Sequence, residues 1–172
     1  MNAHVDTEDL TVLSLPLDDP RVRPLLDELA VEYESRYADL FGEGNAAKEL
    51  EKYPAEEFAA PGGGLLILQE AGESVAGGAF RRYDADTAEF KRIWTHSRHR
   101  RRGLARRVLA ELEDRAAGLG YSRVYLTTGP RQPEARGLYL NTGYEPLFDV
   151  DAPPASLQFL AFAKELPRPS HD

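Results

Sequence analysis

The sequence predicts a single α/β domain of the α+β kind, one sheet with helices packed against it. Three observations predict this class. Between Leu65 and Thr95, three β-rich runs are separated by short turn signals, so consecutive strands should meander. From Leu104 the apolar residues switch to helical spacing and then return to a strand near Arg123, which is a strand–helix–strand pattern. A chain of 172 residues is also the size of one domain, which buries about 70% of the surface its unfolded form exposes.

In chain order, residues 11–17 are β-rich and stop at the turn-prone Asp18-Asp19-Pro20. Val22, Leu25, Leu26, Leu29, Tyr33, Tyr37 and Leu40 then recur at helical spacing and give a first helix its apolar face. Residues 42–64 combine a short helix over 46–52, a turn around 54–58 and the breaker Pro61-Gly62-Gly63-Gly64. Residues 65–70 and 74–83 form a hairpin around Ala71-Gly72-Glu73, and Asp84-Ala85-Asp86 turns the chain into a strand over 87–95. Leu104, Ala105, Val108, Leu109, Leu112, Ala116 and Leu119 share one helical face, which Gly118 and Gly120 terminate. After the strand over 123–128, Pro133 suits the first turn of a helix running to Asn141, with Gly143 as its stop. Two last strands are predicted over 144–148 and 156–164, separated by Pro153-Pro154. The domain is thus expected over 11–166, between a disordered N-terminus (1–10) and a frayed tail (167–172).

Composition narrows the chemistry. Apolar residues make up 42% and charged residues 29%, the ordinary globular range. There is no cysteine, which excludes disulfides, thiolate nucleophiles and zinc–thiolate sites together. His4, His96, His99 and His171 have no carboxylates at ligand spacing, so no metal is expected. No run approaches the roughly 18 apolar residues of a membrane span, and the first ten residues lack the basic and then apolar pattern of a signal peptide. A cytoplasmic location follows as the default.

The net charge of −8 argues against nucleic acid and acidic membranes as partners. Within this acidic chain, however, six arginines fall between Arg98 and Arg107. The run Arg98-His99-Arg100-Arg101-Arg102-Gly103-Leu104-Ala105 follows a predicted strand and opens a predicted helix. A helix N-terminus offers unpaired N–H groups and positive dipole charge, so a phosphate fits there, with arginines adding charge-assisted hydrogen bonds. Gly103 lets the backbone approach the anion closely. The plainer reading is a solvated basic face, or a patch for nucleic acid. The helix that follows turns acidic at Glu111, Glu113 and Asp114, which breaks any long basic stripe.

Arg100-x-x-Gly103-x-Ala105 resembles the pyrophosphate-binding motif of the GCN5-related N-acetyltransferase (GNAT) superfamily. Ala135-Arg136-Gly137-Leu138-Tyr139-Leu140-Asn141-Thr142-Gly143-Tyr144 is similar to its second motif. The resemblance implies a mixed, mostly antiparallel sheet of about seven strands flanked by helices, with the strands ending near Thr95 and Thr128 splayed to admit acetyl-coenzyme A. It further implies that the backbone of Ile93, Trp94 and Thr95 pairs with the pantetheine arm and that the amides of Arg101, Arg102, Gly103, Leu104 and Ala105 hold the pyrophosphate. Arg100 belongs to the same motif, and Arg106 or Arg107 is expected at the nucleotide phosphate. Gln132 stands where many members have asparagine on the cofactor arm. Homodimers are common in the family, so a homodimer is a further expectation.

By the same resemblance Tyr139 lies close to the thioester sulfur, where its phenol can protonate the departing thiolate. A base matters because an alkylamine with a pKa of about 10.4 costs about 4.5 kcal/mol to present neutral at pH 7. Glu89, fourteen residues before Gly103, matches the spacing of the catalytic glutamate in histone-acetylating members. Strand alternation groups Glu89 with Lys91, Ile93 and Thr95, and Phe90 with Arg92 and Trp94. Two readings of Glu89 therefore stand: a general base facing the thioester, or an ion pair with Lys91. His96 and His99 are weaker candidates for the base.

The implied reaction is acetyl transfer to the amine of a small molecule or peptide. Glu32, Glu34, Asp39, Glu43, Glu49, Glu51, Glu56, Glu57, Asp149 and Asp151 would favour a cationic acceptor by Coulomb attraction. A non-catalytic acyl-coenzyme A binding module is the alternative.

Overall fold

The computed structural model describes residues 10–41 and 54–167. The expected helix over 46–52 and nearly all of the two chain ends lie outside the described residues.

The strands are β1 (Leu10–Ser14), β2 (Gly64–Glu70), β3 (Glu73–Arg82), β4 (Thr87–Thr95), β5 (Arg123–Thr128), β6 (Glu145–Pro146) and β7 (Leu160–Glu165). The helices are α1 (Arg23–Phe41), α2 (Leu104–Gly118) and α3 (Pro133–Asn141). The strands form one sheet in the order β1-β2-β3-β4-β5-β7-β6. All neighbours are antiparallel except β4 and β5, which are parallel and joined through α2. The seven-stranded, mostly antiparallel sheet is therefore the expected one.

The apolar core forms on both faces of this sheet. One cluster packs Val108, Leu109 and Leu112 of α2 against Phe80, Phe90, Val124 and Phe162. The other packs Leu25 and Leu29 of α1 with Phe58 against Leu65, Ile67, Ala79 and Trp94. Because β2 is covered on both sides, Leu65-Leu66-Ile67-Leu68 is continuously apolar rather than alternating.

Gly77 and Gly78 in β3 let the layers close. A Cβ at Gly77 would lie 2.7 Å from both the Leu66 carbonyl and Ile67 Cδ1. The carbonyl is ladder backbone and cannot yield, so Gly77→Ala is expected to destabilise the protein by about 1–3 kcal/mol, read from the midpoint of urea unfolding.

Differences from the sequence reading sit at strand ends. β1 stops at Ser14 because Pro16 has no N–H with which to continue the ladder. β6 shrinks to two residues at the sheet edge, where Pro146 again lacks a donor. β7 begins at Leu160 rather than at residue 156, since Pro154–Ser156 form a 3-10 turn. Among the described residues, no helix is long and apolar enough to cross a membrane.

Candidate functional site

β4 and β5 pair only between Thr87–Phe90 and Arg123–Leu126. Beyond that point β4 runs on to Thr95 and β5 to Thr128 without pairing to each other, so the sheet opens into a slot. A cavity of about 580 Å³ occupies this region. Ile93, Trp94 and Thr95 line it from β4, while Gln132, Glu134, Ala135, Leu138 and Tyr139 line it from α3 and the preceding turn. Its head is formed by Arg100, Arg101, Gly103, Leu104, Ala105 and Arg106, and α1 contributes Glu32 and Arg36.

The cavity head has the properties of an anion site. Gly103 caps α2 with φ of 77°, a left-handed conformation that suits glycine, and among the described residues no side chain caps the first-turn amides. A Cβ on Gly103 would meet nothing within 4 Å, so the backbone is open to a ligand at this point. The Arg102 side chain is engaged elsewhere. Both of its terminal nitrogens bind the Glu70 carboxylate, at 3.2 and 2.6 Å, and one also donates to His99 Nδ1 at 2.7 Å. Its side chain braces the loop to the end of β2 rather than lining the cavity.

The alternation expected for β4 breaks at Arg92. Lys91 pairs with Ala79 and Trp94 with Gly77, so Arg92 and Ile93 together face the single residue Gly78, a β-bulge in which Arg92 takes φ of 60°. The bulge reverses the faces of the strand's second half. Ile93 packs with Phe90 on the α2 side, and Trp94 joins the α1 side. Glu89 and Lys91 are thereby separated from Ile93. A non-glycine residue at positive φ costs on the order of 1–3 kcal/mol, a strain that concentrates at functional sites.

The two catalytic candidates have different surroundings. Tyr139 is 5% exposed, and its ring packs on Tyr144 and Phe162 with centroids 5.7 and 5.4 Å away. Burial, with a smaller contribution from nearby Tyr33, pushes the phenol well above its ordinary pKa, so it stays protonated. Glu89 lies outside the cavity lining. Its carboxylate accepts from Arg81 at 2.8 Å and has Lys91 Nζ at 3.5 Å, and Arg81 also binds Glu57. Gln132 does line the cavity, with its amide oxygen accepting from the Gly129 N–H at 3.0 Å and the Thr128 hydroxyl at 3.1 Å.

The model of the acetyltransferase (GNAT) family matches residues 26–144. The chain belongs to the GNAT acetyltransferase family. Among curated proteins it is similar to the uncharacterised N-acetyltransferase YsnE of Bacillus subtilis strain 168, with 35% identity over 92 residues. That match spans 50% of this chain and 61% of the relative. The solved structures that share the fold include three acetyltransferases. A GNAT acetyltransferase from Staphylococcus aureus Mu50 superposes with a TM-score of 0.70 at 15% identity, covering 92% of this chain and 99% of the other. The PaiA N-acetyltransferase from Thermoplasma acidophilum, in complex with coenzyme A, gives 0.69 at 14%, covering 91% and 98%. A GNAT acetyltransferase from Elizabethkingia anophelis with acetyl-CoA bound gives 0.62 at 15%, covering 92% and 99%.

This GNAT chain also carries groups in and beside the cavity that the sequence reading missed as a set. Glu28, Glu32 and Arg36 repeat every four residues along α1, a polar stripe that was legible beside the apolar one. Arg36 bonds Glu32 at 3.1 Å, pairs with Glu134 and donates to the Arg131 carbonyl at 3.1 Å. Arg131 returns a bond of 2.7 Å to the Arg36 carbonyl. α1 is thus latched to the turn before α3. Burial raises the Glu134 carboxyl, but its own helix N–H and Arg36 outweigh this and hold it below the usual value.

His96, His99 and Glu73 bring three potential metal ligands together. Their hydrogen bonds oppose that use. His96 Nδ1 accepts from the Arg98 N–H, and His99 Nδ1 faces Arg102, which can only donate. Each neutral ring therefore carries its proton on Nε2, whereas a ligating histidine donates from its second nitrogen.

Proposed function

We propose that this protein transfers an acetyl group from acetyl-coenzyme A to a primary amine, with a cationic acceptor preferred. One observation carries the reading: a single cavity joins an uncapped helix N-terminus with flanking arginines to a buried, protonated tyrosine. The complexes of structural relatives with coenzyme A and acetyl-CoA support the choice of co-substrate.

In the proposed reaction the neutral amine attacks the thioester carbonyl, the carbon–sulfur bond breaks, and Tyr139 gives its proton to the departing thiolate. The α2 amides with Arg100, Arg101 and Arg106 hold the diphosphate, and Ile93 to Thr95 offer the pantetheine arm an unpaired strand edge. Glu32 and Glu134 both pair with Arg36 in the cavity wall, and their carboxylates are the groups that an acceptor ammonium would meet there. The amine proton leaves through water beside these two carboxylates. Glu43, Glu49 and Glu51 lie outside the described residues.

Glu89 then holds Arg81 and Lys91, its second reading. Glu89→Gln is expected to lower thermal stability and leave the pH–rate profile in position. A profile displaced toward alkaline pH would instead make Glu89 the base.

Calorimetric titration with acetyl-coenzyme A, followed by thiol release across a panel of amines, tests the function. Micromolar binding is expected, with diamines turned over at least about tenfold faster than neutral-tailed amines. Binding without thiol release from any amine would leave only an acyl-coenzyme A binding module, and no binding would remove the site altogether.

A further inference from the structure

Glu28 of α1 reaches across to the end of β4. Its Oε1 accepts from Trp94 Nε1 at 2.9 Å and from the Ser97 N–H at 2.9 Å, and its Oε2 accepts from the Ser97 hydroxyl at 2.7 Å. All three donors belong to the segment that leads from the slot into the phosphate-binding loop. Trp94 lines the cavity, and Ser97–His99 form the 3-10 turn just before Arg100. His96, between the two tethered residues, caps the same turn through Nδ1 and packs edge-on against both Trp94 and His99. Burial works to raise the Glu28 carboxyl, but its donors outweigh this and keep it ionised.

We infer that Glu28 is a positioning residue for the cofactor, which pins Trp94 and Ser97 so that the phosphate-binding loop is held in its binding shape by α1. The inference rests on the acetyl-coenzyme A site proposed above. Leu25 and Leu29, on either side of Glu28, are buried in the core, so the carboxylate is held by a fixed helix rather than by a loose one. Glu32 and Arg36 of the same helix line the cavity, at the end proposed above for the acceptor.

Trp94 is the only tryptophan in the chain, so its emission reports the tether directly. The test is fluorescence titration with acetyl-coenzyme A of the wild type, Glu28→Ala, Glu28→Gln and Ser97→Ala. Glu28→Ala is expected to shift the emission of the free protein and to weaken acetyl-coenzyme A binding about tenfold or more, because three hydrogen bonds to a charge are lost. Glu28→Gln should recover most of that loss. Ser97→Ala, which removes only the hydroxyl bond, should weaken binding about threefold. A folded Glu28→Ala that melts earlier but binds within about twofold of wild type would reduce Glu28 to a structural partner of the indole and overturn the inference. Should Glu28→Ala fail to fold, Ser97→Ala with unchanged affinity overturns it equally. Wild-type protein that binds no acetyl-coenzyme A defeats the functional reading itself, while the emission shift still reports whether Glu28 pins Trp94.

Discussion

Tyr139→Phe is expected to lower turnover by about tenfold or more while acetyl-coenzyme A affinity stays nearly constant. Phenylalanine keeps the ring that packs on Tyr144 and Phe162, so the substitution removes a proton donor and leaves the packing. Without that donor the thiolate departs unprotonated, and each tenfold in rate corresponds to about 1.4 kcal/mol of lost transition-state stabilisation. Burial also sets the pH dependence. Because the folded phenol titrates above its ordinary value, the donor remains protonated beyond pH 10, and wild-type rates should show no alkaline decline from Tyr139 below that pH. The rate should rise with pH as the acceptor amine loses its proton. Steady-state kinetics of both proteins from pH 6 to about 10 would check this. Equal turnover in wild type and variant would remove Tyr139 from the chemistry.

Gly103→Glu should abolish measurable acetyl-coenzyme A binding, a loss of at least about a hundredfold in affinity. Two effects combine. At φ of 77° any L side chain strains the cap, at about 1–2 kcal/mol, and a carboxylate there repels the diphosphate that the α2 amides would otherwise attract. Space is not the obstacle, since a Cβ would meet nothing within 4 Å. Gly103→Ala therefore isolates the strain and should weaken binding about tenfold. Calorimetry on the pair separates the contributions. If Gly103→Glu bound acetyl-coenzyme A like wild type, the diphosphate would have to lie away from the α2 N-terminus.

Elements whose signals are local were legible in the sequence. The β2–β3 hairpin follows from Ala71-Gly72, both at positive φ in the tight turn, and α2 follows from one long apolar face. The Gly103 cap and Tyr139 were legible as parts of motifs. Arg92 was not. Nothing in the local sequence requires an arginine at positive φ, yet that one residue reverses which side chains of β4 share a face and parts Glu89 from Ile93. The partnership of Arg102 with Glu70 was hidden for a related reason. An arginine in a basic loop reads as a phosphate ligand until the fold brings a carboxylate beside it from 32 residues away. Glu28 joins residues 66 and 69 positions further along the chain, a separation that no periodicity argument can span.

The short parallel pairing of β4 with β5 has a consequence for how the protein can change. Where the two strands part, the groups turned toward the slot are main-chain N–H and C=O, which every residue but proline supplies alike. Recognition built on such groups is insensitive to side-chain identity, so Ile93 and Thr95 can be exchanged for other extended residues with little effect on the cofactor. The end of the cavity proposed for the acceptor is made differently, from the side chains of Glu32, Arg36 and Glu134, each replaceable by a single codon change. On the proposed reading, the donor of the acyl group is fixed by the chain's architecture, and its recipient is left open to selection.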